Sequence, residues 1–267
     1  MKSGGAEDGV AAEFERRAHR AEALALEREP TREALRFAAG LSRAQGRAAA
    51  ALEQLHRAEP WSGDLRKDVE RLLQPVREIL RFASDGGPPP LASEAAARAA
   101  EESAVVRARL VAYWDGEADD YLSRALLRPW AEVLARVGVR PSRPTPQSRC
   151  AFCGGAPWVA SRRGEANMQG ATRFLHCALC GGSWQTSRIL CAACGEKDPH
   201  RLPFFSTEAY PEARIEACET CHKYVKSIDL TTDARRVPEV DDLSSLALDL
   251  WAQEKGYSRL EPGAAGL

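Results

Sequence analysis

Apolar residues recur at helical spacing through the first half of the chain and in short strand-like runs through much of the second. Residues 10–28 form a charged amphipathic stretch that Pro30 stops, and a proline there can open the next helix in its first turn. From about 31 to 58, Leu35, Ala38, Leu41, Ala48, Leu52 and Leu55 fall on one stripe, ended by Pro60 and Gly63. A second stripe over 64–84 carries Leu65, Val69, Leu72, Val76 and Leu80, with Pro75 as a kink or restart. The run Gly86-Gly-Pro-Pro-Pro90 reads as a rigid loop. Two further helices, 92–114 and 117–138, carry Val105, Leu110, Leu122, Leu126, Val133 and Val137, with a kink expected at Pro129. Stripes of this kind are what the core of an α-helical bundle requires.

The pattern changes at about residue 140. Three prolines in Arg140–Arg149 make a stiff, extended linker. Beyond it, Arg173–Cys177 and Arg214–Cys218 read as equivalent short strands, and Trp184–Leu190 and Tyr224–Leu230 as matching exit strands. Trp158, Trp184 and Phe204 are expected to cover these small β-units. After Pro238 a helical stripe returns in Val240, Leu243, Leu246, Ala247, Leu250 and Trp251. Glu239, Asp241 and Asp242 suit the N-terminal end of its dipole, Gly256 is a stop, and disorder is expected after Pro262.

The chemistry of the chain lies in its cysteines. All eight belong to CxxC pairs: Cys150/Cys153, Cys177/Cys180, Cys191/Cys194 and Cys218/Cys221. The second four repeat the first at an offset of 41 residues. Two intervening residues let both thiolates of a pair reach one ion, and a second pair completes a tetrahedral all-sulfur shell suited to zinc or a single iron. Gly154, Gly181 and Gly195 follow three of the pairs, where a turn with positive φ is needed, and His222 stands in the fourth place. Sharing of an ion within each repeat is favoured, since each copy then closes its own site; Cys177/Cys180 with Cys191/Cys194 is the alternative. His176 and His222 adjoin the pairs, but four thiolates per site leave them as neighbours or surface residues rather than ligands.

Disulfides need an oxidising compartment, and Met1–Val10 has no apolar stretch resembling a signal peptide, so reduced thiols in the cytoplasm are expected. No apolar run is long enough to span a membrane. The net charge is −1, and residues 150–230 hold nine Lys/Arg against eight Asp/Glu. Such balance gives no basic stripe for nucleic acid. No catalytic triad, phosphate loop or paired-carboxylate site is legible, so the chain reads as a non-enzyme. A zinc-ribbon nucleic-acid binder and an electron-transfer protein with thiolate-bound iron remain as alternative functions.

Several stretches together resemble the formate dehydrogenase accessory protein FdhE family: Cys150–Gly154, Phe174–Cys180 with Trp184, Cys191–Cys194, Arg214–Cys221 with Tyr224–Lys226, and Asp241–Asp249 leading to Gly256 and Tyr257. Arg36–Ala39 and Ala44–Gln45 carry a weaker likeness. The resemblance implies a non-enzymatic maturation factor that associates with the catalytic molybdenum or tungsten subunit of a respiratory formate dehydrogenase. It also implies that the eight cysteines hold two metal ions in rubredoxin-like sites, iron being favoured and zinc the alternative. The expected fold class is α+β, in five parts: an α-helical domain (1–140), a linker (141–149), two tandem rubredoxin-like or zinc-ribbon four-cysteine units (150–190 and 191–232), and a C-terminal helix and tail (233–267).

Overall fold

A computed structural model describes residues 9–146, 148–164 and 170–263. They form two compact units: one takes the chain up to His19 with Ala39–Arg143, the other Arg20–Ala38 with the chain from Pro144 onward. The segment 20–38 is the end of one helix and the start of the next, and it groups with the cysteine half. Few hydrophobic-pattern rules would place it there.

The helices are α1 (Val10–Glu27), α2 (Arg32–Ala58), α3 (Leu65–Gly86), α4 (Pro89–Ala99), α5 (Ser103–Asp115) and α6 (Tyr121–Val137). Pro30 lies in a tight 3-10 turn, Glu29–Thr31, between α1 and α2. Pro75 and Pro129 sit inside unbroken helices, so neither restarts a helix. An interior proline costs roughly 3 kcal/mol, and burial of Leu72, Val76, Leu126 and Trp130 around them offsets it. In the first unit Trp130 packs edge-on to Trp61 at 6.4 Å and against Trp114 at 5.2 Å.

Three expectations for this half need correction. The single helix expected over 92–114 is two, interrupted at Ala100–Glu102, where Glu102 turns extended. The new helix has its own phase, so Val106 and Leu110 are buried while Val105 is 43% exposed. Pro89 and Pro90 are not loop residues but the first turn of α4, where a missing N–H costs nothing. Val137 is exposed as the last residue of α6, ahead of Gly138 at φ +74°.

The second unit is built on one seven-stranded sheet. Strands β1 (Pro157–Gly164), β2 (Ala171–Cys177) and β3 (Ser183–Thr186) pair antiparallel, as do β4 (Phe204–Ser206), β5 (Ala213–Ala217) and β6 (Lys223–Asp229). The equivalence of β2 with β5 and of β3 with β6 follows the repeat. Parallel pairing of β1 with β6, Val159 opposite Lys226, joins the copies in the order β3-β2-β1-β6-β5-β4. They therefore share a core rather than each closing a small one of its own.

The C-terminal segment covers one face of that sheet. It runs as α7 (Pro238–Asp241), a 3-10 turn over Asp242–Ser245, α8 (Leu246–Glu254) and β7 (Ser258–Arg259), which pairs with β6. The 3-10 turn advances three residues per turn and shifts the helical phase. Consequently Leu248, Asp249 and Ala252 are buried, whereas Leu250 of the expected stripe is 53% exposed and Ala247 faces solvent. Leu248 and Ala252 pack with Trp158, Ile215, Tyr224 and Ile228. Phe204 does not cover the sheet; it is 63% exposed. Of the tail after Pro262, residues 264–267 lie outside the described residues. Among the described residues no helix is long and apolar enough to cross a membrane.

A buried ionic network ties this segment to the sheet. Lys226, wholly buried, places Nζ 2.5 Å from Asp249 and 3.1 Å from Asp242, and donates to the Asp242 carbonyl at 2.6 Å. Arg259 reaches the same two carboxylates, each at 2.8 Å, and donates to the Trp158 carbonyl. Tyr224 donates to Asp249 at 2.8 Å. Burial works against the charge on Asp242, yet Arg259 and Lys226 hold its carboxyl below the ordinary range. Asp241 accepts from the Val237 N–H at 2.7 Å and pairs with Arg20, so Asp241 and Asp242, besides lying at the start of the helix, are partners of specific cations.

Removing one partner of such a network strands buried charge. Lys226→Met is expected to destabilise the second unit by about 3–5 kcal/mol, lowering its melting temperature by roughly 10 °C or more. Circular dichroism melts of the metal-loaded protein check this, and an unchanged midpoint would show that the network contributes nothing net.

Candidate metal centres

The four CxxC pairs form four turns of one design. In each, the N–H of the first cysteine bonds to the carbonyl five residues on: Cys150 to Gly155 (3.0 Å), Cys177 to Gly182 (2.8 Å), Cys191 to Glu196 (2.9 Å) and Cys218 to Lys223 (3.0 Å). The residue after each pair turns left-handed: Gly154 at φ +68°, Gly181 at +67°, Gly195 at +78° and His222 at +53°. His222 is the one non-glycine with positive φ among the described residues. Its ring lies 6.1 Å from that of Tyr257, a contact that helps offset the conformational cost.

The turns bring the cysteines together within each repeat. Cys150, Cys153, Cys177 and Cys180 form one cluster and Cys191, Cys194, Cys218 and Cys221 the other, the sulfurs of each lying within 4.8 Å of one another. Closest approaches are 3.7 Å (Cys150–Cys180) and 3.4 Å (Cys153–Cys177) in the first, and 3.7 Å (Cys191–Cys221 and Cys194–Cys218) in the second. An ion bound tetrahedrally with bonds of about 2.3 Å to sulfur sets its ligands about 3.8 Å apart. All eight are free thiols, and their separations match that spacing and exceed the length of a disulfide bond. The alternative grouping of Cys177/Cys180 with Cys191/Cys194 is not the one the fold makes.

Backbone amides support the sulfurs. Leu179 and Cys180 N–H point at Cys177 Sγ (3.4 and 3.5 Å), and Ala193 and Cys194 N–H at Cys191 Sγ (3.3 and 3.5 Å). Gly155 must lack a side chain, since a Cβ there would lie 2.7 Å from Cys177 Sγ. The crowded thiols compete for protons. Cys150 is drawn far below the ordinary thiol range by hydrogen bonds from Cys153, Cys177 and Cys180, while contacts with Cys150, Cys153 and Cys180 push Cys177 well above it. Burial raises Cys191 and carries Cys221 to about 12. A cation is what lets four adjacent thiolates ionise together.

Neither histidine joins a cluster. His176 is half-buried and bonded through Nε2 to Ser161 Oγ at 2.8 Å, and burial lowers its pKa to about 4. His200 lies exposed, its N–H bonded to Asp198. Sequence reasoning missed a second polar feature. Arg173 and Arg214, equivalent in the repeat, converge on Glu216, each at 2.7 Å. Burial would raise the Glu216 pKa, but the two guanidiniums hold it below the ordinary carboxylate range. Their alignment was the available signal, whereas their shared acceptor depends on how the sheet is ordered.

Comparison with known proteins fits this geometry. Residues 189–264 match the family described as the FdhE C-terminal domain. The Protein FdhE homolog of Aquifex aeolicus is 36% identical over 117 residues, 44% of this chain and 41% of that one. The Protein FdhE homolog of Shewanella oneidensis is 31% identical over 203 residues, 74% of this chain and 64% of that one. The chain thus spans less than two thirds of the length of these relatives. The crystal structure of the FdhE protein from Pseudomonas aeruginosa shares the fold, with a TM-score of 0.72 over 96% of each chain at 24% identity. The repeat of paired cysteines, the helical N-terminal region and these likenesses agree: over residues 189–264 the chain is similar to the FdhE C-terminal domain, and it shares the fold of an FdhE protein.

Proposed function

We propose that this chain is an accessory factor for a respiratory formate dehydrogenase and acts, without catalysing a reaction itself, by docking to that enzyme's catalytic molybdenum or tungsten subunit in the cytoplasm. The observation that carries the reading is the pair of all-sulfur clusters held by one sheet in a chain similar to FdhE proteins. In this reading all eight cysteines are metal ligands: Cys150, Cys153, Cys177 and Cys180 take one ion, and Cys191, Cys194, Cys218 and Cys221 the other. Family likeness favours iron, with zinc as the alternative.

The role of the ion is chiefly mechanical. Bound to four thiolates it cross-links two turns that are far apart in sequence, and so fixes the loops between them. Loops ordered in advance lower the entropic cost of docking. The helical part (1–140), the linker (141–149), the two four-cysteine units (150–190 and 191–232) and the C-terminal helix with its tail (233–267) would then make up a metal-stabilised two-lobed scaffold for the client.

Protein purified without oxygen is expected to hold two ions per chain by elemental analysis. Changing Cys150 and Cys153 together to serine should leave one; loss of both, or of neither, would contradict sharing within each repeat.

Deletion of the gene should leave formate dehydrogenase subunits synthesised but inactive. Changing Cys218 and Cys221 to alanine should weaken capture of the catalytic subunit in a pull-down and lower formate-dependent dye reduction. Normal activity in a deletion strain lacking a second copy would sink the assignment.

A further inference from the structure

The two clusters differ in exposure. In the first, all four cysteines are buried, with relative exposures of 4, 0, 0 and 5% for Cys150, Cys153, Cys177 and Cys180. Leu179, wholly buried, and the close approach at Gly155 seal it. In the second, Cys194 is exposed and Cys221 half-buried. A reagent from solution meets the second cluster and not the first.

The approach to the second cluster is also charged. A cavity of about 70 Å³ opens beside Cys191 and Cys218. Four cations line it, Arg173, Arg188, Arg214 and Lys223, against one carboxylate, Glu216. Glu216 is already engaged by Arg173 and Arg214. Arg188 and Lys223 are exposed, and neither has an ion-pair partner among the described residues. A divalent ion held by four thiolates carries a net charge of −2, and the cleft stays positive even beside it.

We infer that the second four-cysteine cluster is an exchangeable centre, reached by anionic ligands such as polycarboxylates through the cleft of Arg173, Arg188, Arg214 and Lys223, whereas the first cluster is closed and structural. The metal half of this inference rests on the proposed ligation; the access half does not. Were an ion held by the four thiolates, exchange would be substitution of ligands: a donor atom of the incoming anion would take the place of one cysteine sulfur, and that thiolate would take up a proton from solvent. The ion's oxidation state is unchanged. A focusing field of this kind raises the encounter rate of anions by roughly tenfold or more, and salt screens it.

The test has two arms, both on the full chain without oxygen. In the first, protein whose metal content has been measured is challenged with EDTA, a polyanion, and metal release is followed in time. One ion should leave roughly tenfold or more faster than the other, and the fast phase should be missing from a variant with Cys191 and Cys194 changed to serine. Release of both ions at one rate would overturn the inference. The second arm needs no bound metal. Alkylation read by mass spectrometry should label Cys194 and Cys221 before any cysteine of the first cluster, and the reverse order would overturn the inference. At Cys191, which lines the cleft, the rate with anionic iodoacetate relative to neutral iodoacetamide should fall several-fold in the Arg188→Glu/Lys223→Glu variant and in high salt. An unchanged ratio would rule out the cleft as the path. A low metal content at the outset would count against the proposed ligation alone, since the labelling order still decides access.

Discussion

The parallel pairing of β1 with β6 is the constraint on which the cysteine half depends. A duplicated unit of about 40 residues buries little apolar surface by itself. Setting Val159 of one copy beside Lys226 of the other turns two marginal sheets into one wide one. That sheet has a face broad enough for α8 to cover, and the resulting core of Trp158, Ile215, Tyr224 and Ile228 belongs to neither copy alone. The two clusters are consequently attached to a common frame.

The same pairing decides the fate of the charged residues. Side chains alternate across a strand, so the register puts Lys226 beneath the C-terminal segment and Glu216 on the opposite face. Beneath the segment, Asp242 and Asp249 meet Lys226 and Arg259; on the other face, Arg173 reaches across from β2 to Glu216 on β5. Two buried carboxylates against two buried cations give a balanced set, which is the condition under which buried charge is tolerated. The placement of Asp241 and Asp242 at the start of a helix therefore has a meaning other than the dipole.

Duplication has not produced equal copies. The first cluster is sealed while the second is open at Cys194 and Cys221, and His222 replaces the glycine found in the other three turns. Identity of the cysteines in sequence conceals this difference, because exposure is set by what packs around the sulfurs. Equivalent positions diverge similarly elsewhere: Glu216 of the second copy corresponds to Leu175 of the first, so only one copy supplies the acceptor for both arginines.

Local chemistry made part of this protein legible in one dimension. CxxC spacing, the residues after each pair and the 41-residue offset foretold four left-handed turns and two groups of four sulfurs, since tight turns and metal ligation depend on neighbours in the chain. The apolar stripes at Leu35–Leu52 and Leu65–Leu80 foretold buried helix faces for a similar reason. Tertiary structure alone decided the rest. Unbroken helices at Pro75 and Pro129 depend on packing that offsets a local cost, and the break at Ala100–Glu102 resets a phase that periodicity assumes to be continuous. The grouping of 20–38 with the cysteine half, the joining of the two copies, the buried Lys226 network and the unequal exposure of the clusters all involve residues far apart in sequence. Contacts of that kind leave no period in the chain, and no spacing rule encodes them.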